Sequence, residues 1–288
     1  MHGGRNPLLR LYALLVYGVL FAPIVVLILF SFNDSKRNFA WRGFTLRWYP
    51  ELFGDSEVLA ALWVTLQVAF VSVLVTTVLG TLLGLGLARL RQSRAAGASD
   101  TLILLPMVTP EIVMGISLLL FFGLVFHANG SMAQIAIAHI AFSISYVAIL
   151  VRSRAVSLDP RMEEAARDLG AGPRQAFFHV TLPLIAPAVA AGALLAFALS
   201  FADLIITSFN AGVGSSTLPL YIYSRIRFGV TPEINAISTI IVAVTAVFIL
   251  LAWRFGRLGG GREERPEEPA AEGPTAGGQM AEGQAAGR

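Results

Sequence analysis

Apolar residues run along this chain in long blocks, and charged residues fall mainly in the gaps between them. About six blocks, at residues 11–32, 59–88, 102–126, 132–151, 184–209 and 234–253, are long enough to cross a bilayer as helices, which takes roughly 20 residues. No period-two alternation of the kind that builds a membrane barrel appears. Helices are therefore expected, because a lipid interior cannot satisfy open backbone groups. The first block has no convincing small-residue cleavage site after it, so it reads as a retained span rather than a signal peptide.

Composition supports this pattern. Of 288 residues, 56% are hydrophobic and 14% charged, with mean hydropathy +0.70. A soluble domain carries about 25% charge. Cysteine is absent, which removes disulfide and thiolate chemistry. The net charge of +3 and pI near 9.6 do not imply nucleic acid, because the arginines flank the apolar blocks as topology signals do. Arg5 and Arg10 precede the first block, Arg89, Arg91 and Arg94 follow the second, and Arg152, Arg154, Arg161, Arg167 and Arg174 follow the fourth. Arg254, Arg257, Arg262 and Arg265 follow the last. The positive-inside rule then puts both termini and the loop at 158–183 in the cytoplasm. Residues 33–57, with Lys36, Arg37, Arg42 and Arg47, form an external exception, as do Arg225 and Arg227. The same external segment carries Phe39, Trp41, Phe44, Trp48, Tyr49 and Phe53, which read as an interfacial aromatic belt or as a docking surface. The segment 258–288 is rich in Gly, Glu, Pro and Ala and is expected to be a disordered tail on a 1–257 membrane domain.

One cytoplasmic loop has internal order. Asp159 suits an N-cap and Pro160 a first helical position. Glu163 and Glu164 fall in the first turn, where the helix dipole favours acids. Ala165, Ala166 and Leu169 give a small, smooth face for a partner, and Gly170 suits a left-handed helix end. Pro173 opens a second short helix through Phe177, Phe178 and Val180, and Leu182-Pro183 returns to the membrane.

The string Glu164-Ala165-Ala166-x-x-x-Gly170, then nine residues, then Val180-x-Leu182-Pro183, resembles the coupling loop of ABC importer permeases. The flanking Ser157-Leu158-Asp159-Pro160-Arg161-Met162-Glu163 is similar to the spermidine/putrescine importer family within that class. The resemblance covers most of residues 7–257. It includes Trp41-x-Gly43-Phe44-Thr45, Trp48-Tyr49, Pro110-Glu111-Ile112-Val113-Met114, Leu218-Pro219-Leu220-Tyr221 and Pro232-Glu233-Ile234-Asn235. The family usually has Asp where this chain has Glu111, and often two adjacent acids where it has Ala202-Asp203.

The resemblance implies an all-α permease subunit of the type I importer fold in the cell inner membrane. It implies coupling through Asp159, Glu164, Ala165, Ala166, Gly170, Val180, Leu182 and Pro183 to a separate cytoplasmic ATPase dimer. A second permease, an external substrate-binding protein and membrane lipid complete the expected partners, with no nucleic acid. No Gly-x-x-x-x-Gly-Lys-[Ser/Thr] occurs, so ATP belongs to the partner and no cofactor or metal is expected here. No His-Glu-x-x-His or Gly-x-Ser-x-Gly supports an enzyme. Relatives move polyamines, while neighbouring families carry ferric iron, thiamine or phosphonates. A stand-alone channel or secondary transporter would leave the E-A-A loop unexplained.

Two acids fall inside apolar blocks, and an ionisable group in a membrane is a functional candidate by default. Glu111 sits about ten residues into the third block, near midplane at about 1.5 Å per residue, after Pro106 and Pro110, which bend a helix. Asp203 lies in the outer half of the fifth. Together they read as a cation pathway, with Tyr146, Tyr221 and Tyr223 adding cation–π contacts. The competing structural reading has Glu111 pairing a neighbouring helix and Asp203 capping a helix end. His139 is expected to hydrogen-bond a neighbouring helix rather than relay protons. Gly80, Gly84, Gly86 and Ala190-Ala191-Gly192 read as packing faces.

The topology has a direct check on a chain without native cysteine. Single cysteines at Ser131 and Ser157 should react with an impermeant maleimide from opposite sides of the membrane. Reaction of both from one side overturns the six-span arrangement.

Overall fold

In a computed structural model, residues 7–35, 40–90, 96–159, 161–227 and 229–259 are described. Twelve helices occur among them. They are α1 (Pro7–Phe30), α2 (Trp48–Gly54), α3 (Ser56–Arg89), α4 (Ala96–Val108), α5 (Glu111–Phe126), α6 (Met132–Val156), α7 (Arg161–Asp168), α8 (Pro173–Ala176), α9 (Leu182–Ala202), α10 (Ile205–Asn210), α11 (Leu218–Ile226) and α12 (Pro232–Gly259). Apart from one isolated bridge between Asn33 and Phe44, no sheet structure occurs among the described residues. Five helices are long and apolar enough to cross a membrane, or six if the bent pair α4–α5 is one span.

The third and fifth spans depart from the continuous helices expected at 102–126 and 184–209. Between Val108 and Glu111 the chain turns through 102°. Pro110 has no N–H to donate, and it disfavours helical geometry at Thr109. Glu111 therefore does not lie within a continuous helix. It stands in the first turn of a new one. The fifth span stops at Ala202, because Asp203 is extended (φ −68°, ψ 130°). No proline forces that break, and its cause is the Asp203 side chain itself.

At its N-terminal end the fifth span is longer than expected. α8 passes through one π-helical segment, Phe177–Thr181, directly into α9, so the helical run reaches from Pro173 to Ala202. The wider turn accommodates Pro183, which cannot donate, without ending the helix. α12 continues to Gly259, past the expected domain limit at 257. Residues 260–288 lie outside the described residues, as do Arg5, Lys36, Arg37, Phe39, Arg91, Arg94, Pro160, Arg262 and Arg265.

α6 is the central span. Val147, Val151 and Ala148 are fully buried, while α1 buries none of its apolar stretch and packs beside α12. Glycines on both neighbours allow that burial. A Cβ on Gly84 would stand 2.5 Å from the Ala148 carbonyl oxygen, and one on Gly80 would stand 2.7 Å from Val147 Cβ. From the other side, a Cβ on Gly192 of α9 would be 3.2 Å from Val147 Cγ1. In lipid there is no hydrophobic drive between helices, so close packing of this kind holds the bundle. Gly86 has open space around it and takes no part.

The end of the bundle that holds α2 and α11 has a core of its own, where Trp48, Leu52, Val58, Leu218, Ile222, Ile234 and Ile237 meet. Trp48 Nε1 donates to the Asn33 carbonyl at 2.9 Å, and Asn33 is itself fully buried. The external aromatics thus divide. Trp48 is core, whereas Trp41, Phe44 and Phe53 are exposed.

Enlarging the α3–α6 contact should be costly. Gly84→Leu should abolish recovery of monodisperse protein in detergent, while Gly86→Leu should leave it near wild type. Size-exclusion chromatography after identical expression decides, and equal recovery of both variants overturns the packing account.

Candidate functional site

Between α6 and α9, α7 is built from local signals. The Arg161 amide donates to Asp159 Oδ1 at 3.0 Å, which supplies the expected cap. The helix closes on Gly170, whose φ of +90° is left-handed. Its amide reaches the Arg167 carbonyl at 2.9 Å, and the Ala171 amide reaches the Ala166 carbonyl at 3.1 Å. Nothing lies within 4 Å of a Cβ placed on Gly170, so the residue is required for backbone shape rather than for space. The Gly172 amide then donates to Gln175 Oε1 at 2.9 Å, holding the corner between α7 and α8.

No residue of α7 is buried. Glu164 and Ala165 are exposed, Leu169 is 91% exposed, and Phe178 beside them is exposed as well. The Glu164 carboxylate makes no bond among the described residues, unlike Glu163. Glu163 receives Arg167 at 2.8 Å and approaches Arg89, at the end of α3, at 3.6 Å. Beneath α7 lies a cavity of about 240 Å³, lined by Leu85, Ala155, Leu158, Met162 and Leu184 among others. Val180 and Thr181 also line it, while Leu182 and Pro183 begin α9. Glu164, Ala165 and Leu169 therefore form an exposed surface on α7 with an apolar tip, while Val180 and Leu182 are half-buried against the helices beneath.

At the far end of α9, Asp203 bridges the break between α9 and α10. Its Oδ2 accepts the Thr207 amide at 2.8 Å, the Thr207 hydroxyl at 2.8 Å and contacts His139 Nε2 at 3.1 Å. Oδ1 receives the Ile206 amide at a long 3.4 Å. His139 is buried, and its Nδ1 meets Ser200 Oγ at 2.7 Å. The expected hydrogen bond from His139 to a neighbouring helix is present, and its acceptor is the pathway candidate itself.

Glu111 is exposed at the start of α5, within electrostatic range of the Tyr146 hydroxyl. The Tyr146 ring lies 5.3 Å from that of Phe142 at a tilt of 56°, and Phe142 packs with Ile206 of α10. The structure thus brings Tyr146 to Glu111, and places Tyr146 beside the helix that Asp203 caps. It does not bring Tyr221 and Tyr223 to either acid. They lie on α11, where Arg225 covers Tyr221 at 5.1 Å and Arg227 covers Tyr223 at 5.2 Å. Burial raises the Tyr221 phenol above its ordinary range, against the lowering effect of Arg225, which donates to it at 3.1 Å.

Sequence reasoning missed Arg89 and Glu163 as the anchor of α7. Glu163 and Arg167 stand four residues apart, a helical ion-pair spacing that could have been read, but the link to Arg89 is tertiary. It also missed Thr207 and Ser200. The spacing of Asp203 to Thr207 was readable only once a helix start was placed at Asp203.

Residues 80–258 match the model of the binding-protein-dependent transport system inner membrane component family. The chain is 40% identical over 254 residues to the putrescine transport system permease protein PotI of Escherichia coli K12, covering 86% of this chain and 90% of that one. It is 36% identical over 241 residues to the spermidine/putrescine transport system permease protein PotC of Haemophilus influenzae, covering 84% and 93%. A chain from a bacterial ABC transporter that imports the acidic polysaccharide alginate shares the fold, with TM-score 0.61 at 16% identity, covering 86% of this chain and 95% of that one.

Gly170 offers a specific test of the loop. Gly170→Val forces a β-branched residue into φ +90°, a conformation costing on the order of 1–3 kcal/mol. Transport and stimulated ATPase activity of a reconstituted complex should fall at least about tenfold, one decade per about 1.4 kcal/mol. Membrane insertion should be unchanged, and wild-type coupling in this variant overturns the role of the loop.

Proposed function

The chain belongs to the binding-protein-dependent transport system inner membrane component family, and on that premise we propose that it is a permease subunit of an ATP-driven polyamine importer. The likeness to putrescine and spermidine/putrescine permeases over more than four-fifths of the chain carries this reading. The exposed E-A-A projection supports it physically. A capped helix with a free Glu164 and an apolar tip is suited to a groove on a cytoplasmic ATPase dimer. That partner binds and hydrolyses ATP, so this chain performs no chemistry of its own. A second permease, homologous to this one, completes the pathway, and an external binding protein delivers substrate. Both termini and α7 then face the cytoplasm.

For the substrate, Glu111 and the free side of Asp203 supply negative charge to an alkyl diammonium ion, and Tyr146 supplies a π face beside Glu111. Opposite charges at 4 Å attract by about 4 kcal/mol at an effective dielectric near 20, against about 1 in bulk water. Such attraction would place the ammonium groups without a tight, slow-releasing site. Tyr221 and Tyr223, each covered by an arginine, contribute at most to the external approach.

The reading is tested by Glu111→Gln and Asp203→Asn in the complete transporter. Uptake of putrescine per assembled complex should fall about tenfold or more in each, and the Asp203→Asn deficit should persist at high salt, because that carboxylate is largely buried and weakly screened, whereas Glu111 is exposed. Unchanged uptake in both variants removes the cation pathway. Loss of assembly with full uptake per surviving complex assigns the acids to structure instead.

A further inference from the structure

His139 is buried, its two ring nitrogens are both bonded, and the transport scheme above gives it no task. Its partners all come from the stretch 200–207, which runs across the break between two helices. Ser200 lies in the last turn of α9, Asp203 in the break, and Thr207 in α10. The Thr207 hydroxyl donates to Asp203 Oδ2, so its oxygen is free to accept. The network then fits one tautomer, with Nε2–H shared between Asp203 Oδ2 and Thr207 Oγ1, and the Ser200 hydroxyl donating to Nδ1.

The consequence for Asp203 is an asymmetry between its oxygens. Oδ2 is saturated by three donors, at 2.8, 2.8 and 3.1 Å. Oδ1 has one contact, at 3.4 Å, and so retains the capacity to accept from an ammonium group. Rotation of the carboxylate is blocked as long as His139 holds Oδ2. The same network orients α10, and α10 in turn is keyed to α5. Asn210 Nδ2 donates to the Gly115 carbonyl at 3.3 Å, and the Phe209 ring lies so close to Gly115 that a Cβ there would be 2.8 Å away. Gly115 is four residues beyond Glu111, about one helical turn. The separation of the two candidate carboxylates therefore runs through a short, packed path whose fixed end is His139.

We propose that His139 is a positioning residue that aims Asp203 Oδ1 at the substrate and fixes its distance from Glu111, so that it sets which diamine length the pathway favours. This inference rests on the polyamine reading above. Each added methylene moves the two ammonium groups further apart. A pair of carboxylates held at one separation discriminates between neighbouring lengths, and a loosened pair does not.

The test uses the complete transporter in proteoliposomes, with the ATPase, the second permease and the binding protein. The binding protein is kept saturated, so its own selectivity drops out. The readout is the ratio of maximal uptake rates for putrescine and for the diamine one methylene longer. Wild type should favour one of them. His139→Leu, which fills space without donating, should move that ratio about three- to tenfold towards unity, the loss expected for one or two hydrogen bonds. His139→Gln, whose amide can donate to Asp203 Oδ2, should restore most of the wild-type ratio. Assembly is followed by size-exclusion chromatography and thermal unfolding. An intact His139→Leu complex with the wild-type ratio overturns the proposal. So does failure of both variants to assemble, which would assign His139 to packing alone. A wild-type transporter that moves neither diamine overturns the polyamine reading itself, and is distinguished by failing before any substitution is made.

Discussion

A lipid interior offers no hydrogen-bond partner, so each interruption of a helix inside this bundle has to be repaired by the chain itself. The fold follows from how two interruptions are repaired. At Pro110 the repair is subtractive, because proline removes a donor and a new helix starts at once with Glu111 in its first turn. At Asp203 the repair is additive, because the carboxylate takes up the amides that open α10 and ties them to His139 on the central span. Both devices leave an acid at the end of a helix. The residues that make the breaks possible are thus the same residues, or direct neighbours of the residues, that supply charge inside the membrane.

The two ends of the molecule are organised in opposite ways. The end that holds α2 and α11 is closed by a buried tryptophan, a buried asparagine and an apolar cluster shared by four helices. The loop between α6 and α9 buries nothing on α7 and relies on caps, a left-handed glycine and an ion pair to Arg89. Exposed ion pairs contribute about 0–1 kcal/mol, so α7 keeps its shape through local hydrogen bonds and its place through weak contacts.

The spans and the helical fold were legible because apolar length and charge placement are local properties of the chain. So were Asp159 as a cap and Gly170 as a left-handed stop, since each acts within a few residues. The capping of a helix end by Asp203 was legible as the competing reading of that acid, whereas the place of the break was not, because it contains neither proline nor glycine, and the tie to His139, 64 residues away, is tertiary. The bend at Pro110 was foreseen as a bend, yet its 102° exceeds what a proline kink alone suggests, since Thr109 leaves the helix as well. The tyrosines of α11 were misleading for a simpler reason. Arg225 and Arg227 follow each by four residues, and the short helix lays each guanidinium over its own ring.

The space beneath α7 has a mechanical meaning. Met162 and Glu163 of α7 line about 240 Å³ of space shared with the ends of α3, α6 and α9, and the Glu163–Arg89 pair at 3.6 Å reaches from α7 to α3. Because no residue of α7 is buried, a push on it is carried to α3 by that pair and to α9 by the continuous helical run from Pro173, not by a packed face.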